Sequence, residues 1–344
     1  MTASAQSNPR ANSSTGHVTT TMQAVVAREY GSADVLSIQT IQRPAPGAGE
    51  VLVAVRAAGL DRGTWHLMTG LPYAVRLAGY GLRAPKTAVI GTDLAGVVVE
   101  VGPGVTRFDV GDEVFGTGRG SFASYAVAPA DTLAAKPAVL TFEQAAAMPS
   151  SGVTALQALL EVGHLQAGQR VLVIGASGGV GSFAVQIAKA LGGEVAGVCC
   201  TGKVDLVRSL GADRVLDYTR DDFTDGTTRY DLILDLGGNT SLSRLRNALT
   251  QRGTLVIGGG ETDGRLLGGT DRQLRAMALS PFIKARLTTF IARVTPARLA
   301  RLAEIAAGGA LVPQIERTYP LTEVPQAMAH LAAGRARGKL VVIP

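Results

Sequence analysis

The residues best suited to chemistry form one short run, Ile174-Gly-Ala-Ser-Gly-Gly-Val-Gly181. It follows an apolar stretch, Arg170–Ile174, and opens a helical pattern over Val180–Leu191. A strand, a glycine turn and a helix in that order make a dinucleotide site. Gly175 permits the tight turn, Gly178 and Gly179 let backbone approach a pyrophosphate, and Gly181 lets the helix lie close to the sheet. The helix N-terminus then offers free N–H groups and a positive dipole to the phosphates. The run departs from the common G-x-G-x-x-G pattern, because Ala176 and Ser177 stand where its middle glycine belongs. The chain holds 43 glycines, so the strand–turn–helix context carries the assignment rather than the glycines alone.

The nucleotide is read at the end of the next strand. Sites for NAD place an Asp or Glu about 20 residues past the glycines to hold the ribose hydroxyls. Here that place reads Val198-Cys-Cys-Thr-Gly-Lys203 and has no acid. Thr201 and Lys203 offer a hydroxyl and a cation suited to a 2′-phosphate, which favours NADPH over NADH.

Metal chemistry is poorly supplied. Zinc takes Cys, His or carboxylate ligands. The two cysteines are adjacent, Cys199 and Cys200, and the histidines His17, His66, His164 and His330 are far apart. No zinc site is expected, and adjacent cysteines give no disulfide framework. A reducing, cytoplasmic compartment fits.

These pieces need a scaffold. The 344 residues are 46% hydrophobic, enough for two cores. The first 21 residues are polar, with no apolar segment, and read as a disordered tail rather than a signal or a span. They hold one Arg and no acid, a weakly transit-like composition. Short strands over Met22–Ala27, Glu50–Ala57, Gly96–Val101 and Ser124–Val127 predict a mostly β unit, with residues 44–49 as the turn between the first two. From Thr141, with Gln144 as a capping-box partner, helical and strand patterns alternate. That alternation predicts a doubly wound parallel sheet. Thr295 and Pro296 mark a helix start. The last strand, Lys339–Ile343, lies beyond the alternation and is expected to return to the first unit. The division is thus 22–140 with 309–344, and 141–308.

The net charge of +6 is concentrated. From Arg265 to Arg301 there are eight basic residues and one acid, Asp271. No aromatics are interleaved as a nucleic-acid platform requires. The stretch reads as a solvated basic face; neither nucleic acid nor a membrane is an expected partner.

Several motifs in order resemble the medium-chain dehydrogenase/reductase superfamily, in its zinc-free quinone oxidoreductase branch, which includes reticulon-4-interacting-protein-like and bacterial NAD(P)-dependent alcohol dehydrogenase relatives. They are Ala57-Ala-Gly-Leu-Asp-Arg-Gly-Thr-Trp65, Gly91-Thr-Asp-Leu-Ala-Gly96, Val110-Gly-Asp-Glu-Val-Phe115, Ala145-Ala-Ala-Met-Pro149, Gly152-Val-Thr-Ala155, the glycine loop, Leu210-Gly-Ala-Asp213, Asp217-Tyr218 and Gly338-Lys-Leu-Val-Val342. The resemblance covers Met22 to Pro344. It implies a GroES-like catalytic domain, a Rossmann domain, a cleft between them and a homodimer. It also implies that Ser177, Gly179, Val180, Thr201, Lys203 and Tyr218 line an NADPH site, approached by Gly259 and Lys339. Zinc-containing relatives carry ligands near Asp61, at the position of Thr92 and around Ser150–Ser151; here those places hold an acid or hydroxyls. Zinc-free relatives often carry Asn at the position of Asp61, and close ones carry Asp where Thr64 stands, so this polar pair is rearranged.

Without a metal Lewis acid, conjugated acceptors such as quinones and enones suit the reaction, because they spread the developing charge. Asp61 is the candidate proton donor, against the alternative that it caps a turn. Trp65 and His66 are candidates for the pocket wall, and Tyr73 and Tyr80 for shaping substrate access. An enoyl reductase or alcohol dehydrogenase on the same fold, and a non-catalytic NADPH-binding sensor, are the competing readings.

Overall fold

The computed structural model describes residues 20–259 and 268–344. The expected tail, apart from its last two residues, and Arg265 of the basic stretch lie outside them.

Two large sheets organise the chain. The strands are β1 (Thr21–Ala27), β2 (Leu36–Gln42), β3 (Glu50–Leu60), β4 (Asp93–Val101), β5 (Glu113–Thr117), β6 (Tyr125–Pro129), β7 (Leu133–Ala135), β8 (Arg170–Ile174), β9 (Glu194–Cys199), β10 (Arg214–Asp217), β11 (Tyr230–Asp235), β12 (Leu249–Ile257), β13 (Arg286–Thr289), β14 (Ile315–Pro320) and β15 (Lys339–Ile343). A six-stranded sheet runs β10-β9-β8-β11-β12-β13, with every pair parallel. Its order reverses between β8 and β11, the switch point at which open α/β sheets bind ligands. Both faces of β8 are covered. Val171 and Val173 join one core and Leu172 and Ile174 another, so a strand that alternates sides reads as one apolar run.

The second sheet runs β14-β15-β3-β4-β5-β7, with β6 paired to β3, and β1 and β2 form a separate antiparallel pair. Its core gathers Val51, Val53, Leu94, Val98, Phe122, Leu340 and Val342. The GroES-like unit and the parallel-sheet Rossmann unit make a mixed α/β fold. The last strand pairs antiparallel with β3, Leu340 opposite Leu60 and Val342 opposite Ala58. That register brings Lys339, the residue before Leu340, beside Asp61, the residue after Leu60.

The structure corrects several boundaries. The segment between β1 and β3 holds another strand, β2 (Leu36-Ser-Ile-Gln-Thr-Ile-Gln42), in which Leu36 is buried but Ile38 is exposed, so its apolar residues at 36, 38 and 41 do not show the period of two that marks a half-buried strand. Arg62–Thr69 and Thr270–Leu279 are helices in stretches to which the sequence patterns assign no element. The capping box at Thr141 and Gln144 is present, as is the Thr295 cap with Pro296 in the first helical turn. The basic stretch is not simply a solvated face. Arg272 is buried against Asp235, and Arg275, Arg298 and Arg301 pair with Asp271, Glu161 and Glu304.

Candidate functional site

The glycine loop leaves β8 with Gly175 at φ +83°, a left-handed conformation that disfavours any side chain. Gly178 precedes the helix Gly179–Ala190, whose N-terminus has no side-chain cap, so its first N–H groups are available to a ligand. A Cβ on Gly181 would lie 2.1 Å from the Gly175 carbonyl oxygen; glycine is what allows the helix to lie against the loop. Ser177 is buried and its carbonyl accepts from Gly338 N–H at 2.9 Å. Val180 is partly buried against the sheet core. A Cβ on Gly179 would touch Lys339 Cδ and Ser151 Oγ, each at 3.4 Å, so the loop faces the other sheet.

At the end of β9, Thr201 begins a short turn that also contains Lys203. Thr201 Oγ1 donates to Asp217 Oδ2 at 2.5 Å, and Lys203 Nζ donates to the Ala336 carbonyl at 2.8 Å. Two residues that the sequence reading missed sit here. Asp217 ends β10, the neighbouring strand, so parallel pairing supplies an acid that the second strand itself lacks. Its carboxyl is held below the usual range, first by the Thr201 hydroxyl and then by Thr219, despite some burial. Arg337 donates from Nη2 to the Gly202 carbonyl at 2.8 Å, adding a second cation beside Lys203. Tyr218 is exposed beside them, and its N–H donates to the Cys199 carbonyl at 3.1 Å. Gly259 lies at the end of β12, where a Cβ would come 2.6 Å from the Leu236 carbonyl oxygen.

The second cluster lies where β3, β4 and β15 meet the start of the helix Pro149–Leu156. Asp61 is the N-cap of the helix Arg62–Thr69; its Oδ1 accepts from Thr64 N at 2.8 Å and Thr64 Oγ1 at 3.2 Å. The turn-capping alternative is therefore realised, yet it uses one oxygen. Asp61 Oδ2 is buried and has no hydrogen-bond partner among the described residues. Asp93, which sequence reasoning missed, is fully buried. It accepts from Ser150 N at 3.0 Å and Ser150 Oγ at 2.5 Å. Burial pushes its carboxyl up to about 7, and the Asp61 charge adds to the shift; Lys339 and Ser150 oppose it. Lys339 is also buried, with Nζ 3.1 Å from Ser151 Oγ and 3.9 Å from Asp93 Oδ2. Gly59 makes the room, since a Cβ there would meet Asp93 Cβ at 3.0 Å and the Ala146 carbonyl oxygen at 2.3 Å.

Trp65 and His66 follow Asp61 on the same helix. Trp65 packs against the second sheet's core, under Arg62 at 4.2 Å and edge-on to His66. His66 Nδ1 lies 2.5 Å from the Leu71 carbonyl, which can only accept, so Nδ1 carries the proton. Each therefore has a local packing role. Tyr73 and Tyr80 are exposed on the strap that follows, which Tyr30 anchors by donating to the Gly81 carbonyl at 2.7 Å.

The arrangement fits a dinucleotide along the C-terminal ends of the parallel strands, with phosphates at the open helix terminus and its reactive end toward Asp61, Asp93 and Lys339. The positions at which zinc-containing relatives carry ligands hold hydroxyls at Thr92, Ser150 and Ser151, and Asp93 is already engaged by Ser150 and Lys339. Among the described residues no three His, Cys, Asp or Glu side chains group as a metal site.

Residues 47–138 match the family model for the alcohol dehydrogenase GroES-like domain, and residues 210–342 that for zinc-binding dehydrogenases. The mitochondrial NAD(P)H oxidoreductase RTN4IP1 of Mus musculus is 34% identical, covering 97% of this chain and 92% of its own length. The 2-methylene-furan-3-one reductase of Solanum lycopersicum is 30% identical over 100% of this chain and 84% of its own. The solved quinone oxidoreductase of Coxiella burnetii superposes with a TM-score of 0.82 at 26% identity, covering 94% of this chain and 99% of that one. The two-sheet fold, the glycine loop and these matches together mean that the chain belongs to the medium-chain dehydrogenase/reductase superfamily of nicotinamide-dependent oxidoreductases, in its quinone oxidoreductase-like branch.

Proposed function

We propose that this oxidoreductase works without zinc, takes NADPH as its cofactor, and reduces quinones, enones or similar activated carbonyls. The observation that carries the reading is the meeting of the uncapped helix terminus at Gly179 with the buried Lys339–Ser151–Asp93 cluster. When bound, NADPH supplies the hydride. The protein's part is to hold the dinucleotide through the glycine loop, Thr201 and Lys203, and to keep the acceptor in line. Residues 141–308 form the cofactor domain in this reading, and 22–140 with 309–344 the catalytic one.

Asp61 is the proton donor in this scheme. Its Oδ1 fixes the side chain as a helix cap, leaving Oδ2 to serve the acceptor. Bound NADPH would supply the hydride to the conjugated carbon, and Asp61, in the form protonated at Oδ2, would give the proton that completes the reduction. The name of the tomato relative, a reductase of a methylene-furanone, supports an enone. The place of Lys203 and Arg337 at the end of β9 supports the 2′-phosphate. A homodimer in the cytoplasm completes the reading.

The test is to mix purified protein with NADPH or NADH and phenanthrenequinone or a simple enone, and to follow loss of the reduced nicotinamide absorbance. Fast loss of NADPH with little loss of NADH is the expected result. NADPH bound but never oxidised by either acceptor would sink the proposal, and would favour an enoyl thioester reductase or a sensor.

A further inference from the structure

The turn that follows β11 is tied at both ends by one ion pair. Asp235, the last residue of β11, is fully buried, and its Oδ1 accepts from the backbone N–H groups of Gly237 at 3.2 Å and Gly238 at 3.1 Å. Its Oδ2 accepts from Arg272 Nη2, which also donates to the Thr240 carbonyl at 2.7 Å. One carboxylate thus sets the start of the turn and one guanidinium its finish. The pair is formally neutral, and either charge alone would be costly in so dry a place.

The position of the turn gives the pair its consequence. On one side Leu236 N–H donates to the Ile174 carbonyl at 3.1 Å, directly before the glycine loop. On the other, Gly259 can approach the Leu236 carbonyl only because it lacks a Cβ. Residues 236–238 are therefore wedged between the C-terminal ends of β8 and β12. In the cofactor reading above, phosphates sit at the helix terminus and the adenosine half runs toward Thr201 and Lys203, over β9 and β10. The nicotinamide half must then run the other way, across the ends of β11 and β12 and over this turn.

Packing alone does not account for Arg272. Its Nε and Nη1 are buried with no partner among the described residues. Unsatisfied buried donors cost stability, yet the site keeps a guanidinium where an apolar residue would fill the space. We propose that Asp235 and Arg272 are a positioning pair, which acts through the turn 236–240 to hold the wall for the nicotinamide half of the dinucleotide and leaves the adenosine half alone. The proposal rests on the cofactor reading and adds the residues that set its reactive end.

The test compares NADPH with adenosine 2′,5′-bisphosphate, a fragment that lacks the nicotinamide, by calorimetry and steady-state kinetics. Asp235→Asn with Arg272→Met leaves no buried charge, keeps an acceptor for the glycine N–H groups and loses the tie to Thr240. Arg272→Lys keeps the charge but spans the two acceptors less well. The double variant is expected to bind the fragment as the wild type does. Its preference for NADPH over the fragment should fall about fivefold or more, and kcat about tenfold or more. Arg272→Lys should fall between it and the wild type. A preference and a kcat within about twofold of wild type would overturn the proposal. So would parallel loss of both ligands or failure to fold, since the pair would then serve the fold alone. A wild type that binds neither ligand would instead overturn the cofactor reading, and this inference with it.

Discussion

Lys203 Nζ lies 2.8 Å from the carbonyl oxygen of Ala336, a residue 133 positions further along the chain. Arg337, the next residue, returns the contact by donating to the carbonyl of Gly202. Two cations from distant segments are thus held at the end of β9 by neutral carbonyls. Such carbonyls compete weakly with a phosphate dianion, which brings a full negative charge and several acceptor oxygens to the same two cations.

Lys203→Ala should therefore raise KM for NADPH about tenfold or more and leave KM for NADH nearly unchanged, and Arg337→Ala should act in the same direction. The fold-change rests on charged hydrogen bonds contributing about 1.5–3 kcal/mol. Steady-state kinetics with both cofactors at low and high salt would check this, since screening should narrow the difference. Equal losses with NADPH and NADH would mean that the two side chains only pin the two sheets together.

Gly181→Ala tests the packing of the glycine loop. The added Cβ would fall 2.1 Å from the Gly175 carbonyl oxygen and 2.8 Å from Ala176 Cα, both backbone atoms. Neither can move without displacing the loop. The variant is expected to lose about 1–3 kcal/mol of stability or more, and cofactor affinity with it. Thermal melts with and without NADPH would measure both; a wild-type melt and an undiminished NADPH shift would refute the close approach.

The loop was legible in the sequence because each part of it is local. A strand, a turn that needs glycine and a helix follow one another within a few residues. The capping box at Thr141 and the start at Pro296 were readable for the same reason. Asp93 was not, since it opens a strand that reads as apolar, and only the pairing of β3 with β4 sets it against Gly59 and Ser150. Arg272 reads as one of many exposed arginines until the fold supplies Asp235, 37 residues away. The helix Arg62–Thr69 spans little more than two turns and contains Gly63, so its apolar residues are too few to show a period.

Asp61 caps a helix and, in the proposed mechanism, donates a proton; one substitution can separate the two roles. Asn caps helices as well as Asp does and would keep the bond from Thr64 N. Asp61→Asn should thus leave stability within about 0.5 kcal/mol of wild type. Loss of the acid should lower enone turnover about a hundredfold. Asp61→Ala should add a stability loss of about 1 kcal/mol. Denaturant melts beside turnover assays would separate the two duties. Wild-type turnover by the Asn variant would assign the proton to solvent.

Asp93 predicts a pH effect whose sign is fixed. Burial, with help from the Asp61 charge, raises its carboxyl from the ordinary 3.8 to about 7. Between those values the folded protein holds a proton that the unfolded chain releases, so folding is favoured at the acid end. This contribution is fully present below about pH 4 and is lost as pH rises through about 7. An Asn at this position still accepts from Ser150 but does not titrate. Over that interval the wild type should lose stability relative to Asp93→Asn, and above about pH 8 the gap should stop changing. Urea melts of both proteins across the range would measure the gap. Parallel curves would mean that Asp93 is already ionised throughout, held as the carboxylate by Lys339.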